Sequence, residues 1–134
     1  MNSKGITILE LMVTLAIIAI LFSYAVPSYR NYTMRADRTD GLESIQAIMN
    51  AQERYYAENM TYADSLTKLG MASSSYTTPK EHYKISVEKC TGMEYTQCVQ
   101  LKATAQDSQA KDGDLIFNTA GKQVRKVGTK EHDL

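Results

Sequence analysis

A single carboxylate, Glu10, interrupts an otherwise apolar stretch: nearly every other residue from Ile6 to Val26 is apolar or small. Placing a carboxylate in membrane hydrocarbon costs roughly 2.5–3.5 kcal/mol on insertion scales. A plain anchor or secretion signal gains nothing from carrying it. The chemistry open to it is electrostatic, namely pairing with a cation supplied by a neighbouring chain. Far from this block, Cys90 and Cys98 lie close together. In an exported domain such a pair closes one disulfide, whereas in cytosol it more often stays reduced. Two cysteines are too few for a structural zinc site. His82 and His132 have no metal-ligand spacing, phosphate-binding glycine loop or nucleophile motif around them and read as solvated. We therefore expect no catalytic residue, no metal and no cofactor. One further group is suggestive: Lys122, Arg125, Lys126 and Lys130 are four cations with no acid between Asp114 and Glu131. They form either a stripe for DNA or another polyanion, or an edge strand guarded by solvated lysines.

These groups need elements to hold them. The 134 residues fit one domain with an appendage, and 15 basic and 15 acidic side chains give no net charge. No global field draws the chain to nucleic acid. As a helix, residues 6–26 span roughly 31 Å, enough to cross a bilayer core. Three readings fit this segment. It is a cleaved secretory signal with small residues at Ser23-Tyr24-Ala25, a plain single-pass anchor, or an anchor whose one charge has a purpose. Glu10 favours the third.

Lys4-Gly5-Ile6-Thr7-Ile8-Leu9-Glu10-Leu11-Met12-Val13 resembles the prepilin signature of type IV pilins and pseudopilins. That signature has a short basic leader ending in Gly, an apolar residue, Thr, and Glu at the fifth mature position. Pro27 and the following Ser28-Tyr29 also fall where such pilins carry them. Ile6 departs from the usual Phe. The resemblance implies a leader over 1–5, a transmembrane and filament-core helix over 6–29, and a globular domain over 30–134. It implies cleavage between Gly5 and Ile6 by a prepilin peptidase, then N-methylation of Ile6. The new amine is the natural partner for Glu10 of an adjacent subunit, a pairing better at fixing register than at adding stability. Its partners would be other pilin subunits and the pilus assembly machinery. It would reside in a bacterial inner membrane with its domain periplasmic, and later in an extracellular pilus. The short domain resembles small minor pilins. Display of a DNA-binding or adhesive surface, and a secretion pseudopilin, are the alternatives. Arg30, Arg35 and Arg38 just beyond the apolar block run against the positive-inside rule for this orientation. The family match and the cysteine pair outweigh that count.

The helix is predicted to continue to about Glu58, kinked at Pro27, whose missing N–H leaves the Ser23 carbonyl without its helical donor. On a helical wheel Leu42, Ile45, Ile48, Met49, Tyr55 and Tyr56 fall within an arc of about 140°, with Asp40, Glu43, Asn50, Arg54 and Glu58 opposite. The first group is expected to face a core, with Tyr62 joining it. From Met60 to Pro79 the residues read as a surface loop. Alternation over Tyr83–Glu88 and Val99–Ala105, then Asp114–Asn118 and a short piece from Lys122 to Val127, predicts a roughly four-stranded antiparallel sheet. The fold class expected is α+β, the type IV pilin arrangement of a long helix packed on that sheet. By strand parity both cysteines point away from the core, facing each other across a hairpin through Thr91-Gly92-Met93.

Overall fold

The structure is a computed structural model that describes residues 5–134. It separates into two compact units, the residues up to Thr33 and Met34–Leu134. Helix α1, Ile8–Asn59, contributes to both. In the first unit the apolar side chains of α1 are exposed all round. Thr7 Oγ1 accepts the Glu10 amide hydrogen at 3.2 Å, capping the helix start. The Ser23 hydroxyl donates to the Ile20 carbonyl at 2.6 Å, beside the position where Pro27 offers no N–H.

In the second unit, six strands form one antiparallel meander in chain order: β1 (Ser75–Thr77), β2 (Tyr83–Lys89), β3 (Val99–Ala105), β4 (Asp114–Asn118), β5 (Gln123–Val127) and β6 (Lys130–Asp133). The sheet therefore has six strands rather than four. Strand β1 lies in the segment expected to be loop, which also holds a 3-10 turn, Leu66–Leu69, between an N-cap at Ser65 and a left-handed Gly70 (φ 86°). Strand β6 lies beyond the last strand read from the sequence and includes His132. Both escaped detection for one physical reason. A three-residue strand is too short to alternate, and β6 is exposed on both faces, so neither carries a period-2 pattern.

Ile45 and Ile48 of α1 pack with Leu66, Tyr83, Ile85, Leu101, Ala103, Leu115 and Phe117 in the core. The buried face of the helix is rotated from the apolar stripe. It comprises Asp40, Gly41, Ser44, Ile45, Ile48 and Gln52. Asp40, placed on the solvent side by the wheel, is buried, while Leu42, Met49, Tyr55 and Tyr56 are only half-buried. Gly41 explains the rotation. A Cβ there would stand 2.7 Å from the Tyr83 ring and 2.9 Å from Leu115, so only glycine lets helix and sheet approach this closely. Gln52 pins the returning chain, donating to the Ala63 carbonyl (2.9 Å) and accepting from the Ala63 amide (2.8 Å).

Cys90 and Cys98 are joined in a disulfide with their Cα atoms 5.8 Å apart. They follow directly on the Lys89↔Val99 pair of β2 and β3. Both are buried, not turned outward. Strand β2 ends at Lys89 and β3 begins at Val99, so parity stops applying one residue before each sulfur. The loop they close folds back on the end of α1. Its Tyr95 carbonyl accepts from the Tyr62 amide (2.9 Å), and its Thr96 carbonyl from the Tyr56 hydroxyl (3.3 Å). The Tyr56 and Tyr62 rings pack at 4.5 Å beside it, half-buried rather than in the core. Replacing both cysteines with serine is expected to lower unfolding stability by about 2.5 kcal/mol, the chain-entropy value for so short a loop. Urea denaturation of the full chain, oxidised against Cys90→Ser/Cys98→Ser, measures it; equal midpoints would contradict it.

Candidate functional site

The residues that could act in assembly sit at the start of α1. Gly5 and Ile6 are exposed and precede the helix, and nothing lies within 4 Å of where a Gly5 Cβ would be. An exposed peptide bond outside the helix suits a peptidase. Lys4 lies outside the described residues. Glu10 is in the first turn of the helix, three residues after the Thr7 cap. A carboxylate here is favoured by the unpaired N–H groups of the helix N-terminus. That second role for Glu10 was available in the Thr7-x-x-Glu10 spacing. Pro27 lies inside the helix and, like the side chains before it, faces no other part of the first unit.

The cations of the C-terminal run are divided by the fold. Lys122 pairs with Glu131 at 2.8 Å, and with Lys126 this pulls the Glu131 carboxyl below its ordinary range. Arg125 is engaged elsewhere. Its Nη1 donates to the Asp112 carbonyl at 2.7 Å and approaches the Asp112 carboxylate at 3.4 Å. The same carboxylate accepts two short bonds from Arg38, at 2.7 and 2.6 Å. Gln109 completes the cluster, donating to the Met34 carbonyl (2.8 Å), the Tyr83 hydroxyl (3.0 Å) and Asp112 (3.2 Å). Burial pushes the Tyr83 phenol up to about 12. The hydrogen bond from Arg38 to Asp112, with the charge attraction between them, raises the Arg38 pKa. This arrangement fastens the Met34–Arg38 stretch of α1 to the sheet, and Arg125 belongs to it. Strand β6 also lays Glu131 opposite Lys126 and Asp133 opposite Val124. The run is free of acids only in sequence.

The meander assembles a different basic group. The β1–β2 turn, the segment from β3 to β4 and the β5–β6 turn all emerge at one end of the sheet. Lys80, Lys84, Lys111, Lys126 and Lys130 gather there, all exposed. None of the five forms an ion pair among the described residues, whereas Asp112, Asp114 and Glu131 nearby are each paired to other cations. His82 stands at the same end, 3.4 Å from Asp37. Lys80, Lys84 and Lys111 were not singled out from the sequence, because their proximity to Lys126 and Lys130 arises only from strand pairing.

Comparison with known proteins places the chain among pilins. Residues 27–115 match the family described as "Type IV minor pilin ComP, DNA uptake sequence receptor", and residues 1–26 match the prokaryotic N-terminal methylation motif. The chain is 34% identical over 85 residues to the type IV major pilin protein PilE of Neisseria gonorrhoeae, covering 63% of this chain and 51% of that protein. It is 36% identical over 90 residues to a fimbrial protein of Neisseria meningitidis serogroup A, covering 67% and 52%. A fimbrial protein of Pseudomonas aeruginosa is 31% identical over 121 residues, covering 89% and 69%. The chain thus spans about half the length of the two neisserial relatives.

Asp112→Ala leaves two guanidinium groups without their shared carboxylate in a part-buried site. We expect a loss of about 3 kcal/mol of stability, against little change for removing the exposed Lys68–Asp64 pair. Chemical denaturation of the two variants side by side tests the ranking.

Proposed function

This chain belongs to the type IV minor pilin family whose description reads ComP, DNA uptake sequence receptor, and from that premise we propose that it is a minor subunit of a type IV pilus that presents its sheet domain to DNA. The observation that carries the structural part is Glu10, the lone charge in an exposed apolar helix that lies within a match to the N-terminal methylation motif. Its work is structural rather than catalytic. A prepilin peptidase cuts between Gly5 and Ile6, and the methylated Ile6 amine meets Glu10 of a neighbouring subunit. Insertion remains favourable despite the acid. The Ile, Leu, Val and Phe side chains between Ile6 and Val26 contribute roughly 4–7 kcal/mol, and Glu10 takes back about 3 kcal/mol. Before assembly the helix spans the inner membrane with the domain periplasmic; afterwards it lines the filament.

For DNA, the supporting observation is the lysine-rich sheet end rather than the C-terminal run taken whole. Five lysines at one end, unpaired among the described residues, suit a phosphate backbone, and each contact releases counterions on binding. Lys126 and Lys130 of the run take part, while Lys122 and Arg125 have carboxylate partners of their own.

Two measurements test this reading. Mass spectrometry of the mature chain should find methylated Ile6 at its N-terminus, and Glu10→Ala should abolish incorporation into filaments without preventing membrane insertion. A mature chain beginning at Val26 would refute the assembly reading. With the full chain in detergent, double-stranded DNA should bind with a steep salt dependence. Lys84→Glu/Lys126→Glu should flatten its slope by about 2 and weaken binding at least tenfold or so. Lys68→Glu should change little; equal losses in both variants would remove the assignment to this surface.

A further inference from the structure

The first unit carries a feature at the end of its apolar stretch that the pairing of Glu10 does not explain. Phe22, Ala25, Val26, Tyr29, Arg30 and Thr33 line a concavity of about 520 Å³ on α1. Their spacing puts them on one face of the helix. Ala25 leaves the gap, and Phe22, Val26 and Tyr29 wall it with apolar surface. At one end stands Arg30, exposed and without an ion pair among the described residues. Its helical neighbours Val26, Thr33 and Met34 carry no charge. The only acid of this unit is Glu10, twenty residues and roughly 30 Å away along the axis.

We propose that this face binds one anionic phospholipid of the membrane leaflet next to the domain, with the phosphate on Arg30 and an acyl chain along Phe22, Ala25, Val26 and Tyr29. The proposal rests on the reading that the apolar helix spans a bilayer. Residues 6–26 then fill the hydrocarbon layer, and Arg30 falls one turn beyond it, at phosphate depth. Tyr29 and Tyr32 are exposed within one turn of Arg30, at the level where amphipathic rings settle in the interface. A guanidinium is matched to a phosphate by its fork of donors. A lipid with net negative charge leaves that match uncontested, whereas a zwitterionic lipid brings its own ammonium to compete. The helix of a second copy would fill the apolar groove equally well. Its apolar stretch, however, carries no acid beyond Glu10 and would leave Arg30 uncompensated.

Native mass spectrometry of the full chain, released from nanodiscs containing equal phosphatidylglycerol and phosphatidylcholine, tests the proposal. Resistance to carbonate extraction is scored separately for each variant, so a failure of the spanning reading is seen apart from a failure of lipid binding. The wild-type chain should retain phosphatidylglycerol in preference to phosphatidylcholine. Arg30→Gln should reduce that preference roughly fivefold, the effect of one cation at an anionic surface, and Arg30→Lys should restore part of it. Ala25→Trp fills the gap and should lower retention of both lipids with Arg30 intact. An Arg30→Gln chain that inserts and keeps the full preference overturns the proposal. So does an Ala25→Trp chain that retains lipid as before, or a wild-type chain released with a second copy in place of lipid.

Discussion

The apolar surface between Ile6 and Val26 must be kept from water at every stage of the protein's life, and the rest of the molecule is arranged around that constraint. No part of the first unit covers these side chains. In the proposed function, lipid supplies the cover first and neighbouring subunits supply it after assembly. Lipid and protein neighbours are nearly equivalent solvents for leucine and isoleucine, so hydrophobicity alone gives the helix little reason to prefer the filament. A single carboxylate changes that balance. In the reading proposed above, Glu10 is tolerated in lipid at a cost and relieved of it where a neighbouring chain supplies a cation, so that the charge selects the assembled state.

The second unit meets a different demand, which is to hold one stretch of helix firmly against a sheet while leaving the sheet ends available. Two devices do this. Gly41 removes a side chain so that Tyr83 and Leu115 come into contact with the helix itself. The Asp112 carboxylate collects Arg38 from the helix and Arg125 from β5, with Tyr83 and Gln109 in the same network. A charge cluster of this kind contributes modestly to net stability but makes misregistered docking costly, because any other alignment leaves a guanidinium unpaired. The disulfide does similar work at the far end of the sheet, closing the loop that meets the last turns of α1.

Committing Arg125 and Lys122 to carboxylates has a consequence for recognition. Cations locked in ion pairs add little to the field outside the molecule, so the surface that can attract a polyanion is defined by the lysines left over. Those lie in or beside three separate connections, and a neutral chain thereby acquires a locally basic end without a basic composition.

Sequence alone determined the long helix, the α+β class, the disulfide partners and the methylation motif of the N-terminal segment. Each of these rests on local spacing: an apolar run of membrane length, an acid at a fixed offset from Gly5, two cysteines across a short hairpin, and period-2 alternation in β2 and β3. Tertiary structure alone decided which side of α1 is buried, because Gly41, Ser44 and Gln52 face the core through size and hydrogen bonding rather than hydropathy, and a wheel of apolar residues does not register them. It also decided the existence of β1 and β6, which are strands only by virtue of the neighbours they pair with. The burial of Cys90 and Cys98 and the gathering of Lys80, Lys84 and Lys111 beside Lys126 and Lys130 are of the same kind. They depend on where strands end and how turns converge, which are properties of contacts between residues distant in the chain.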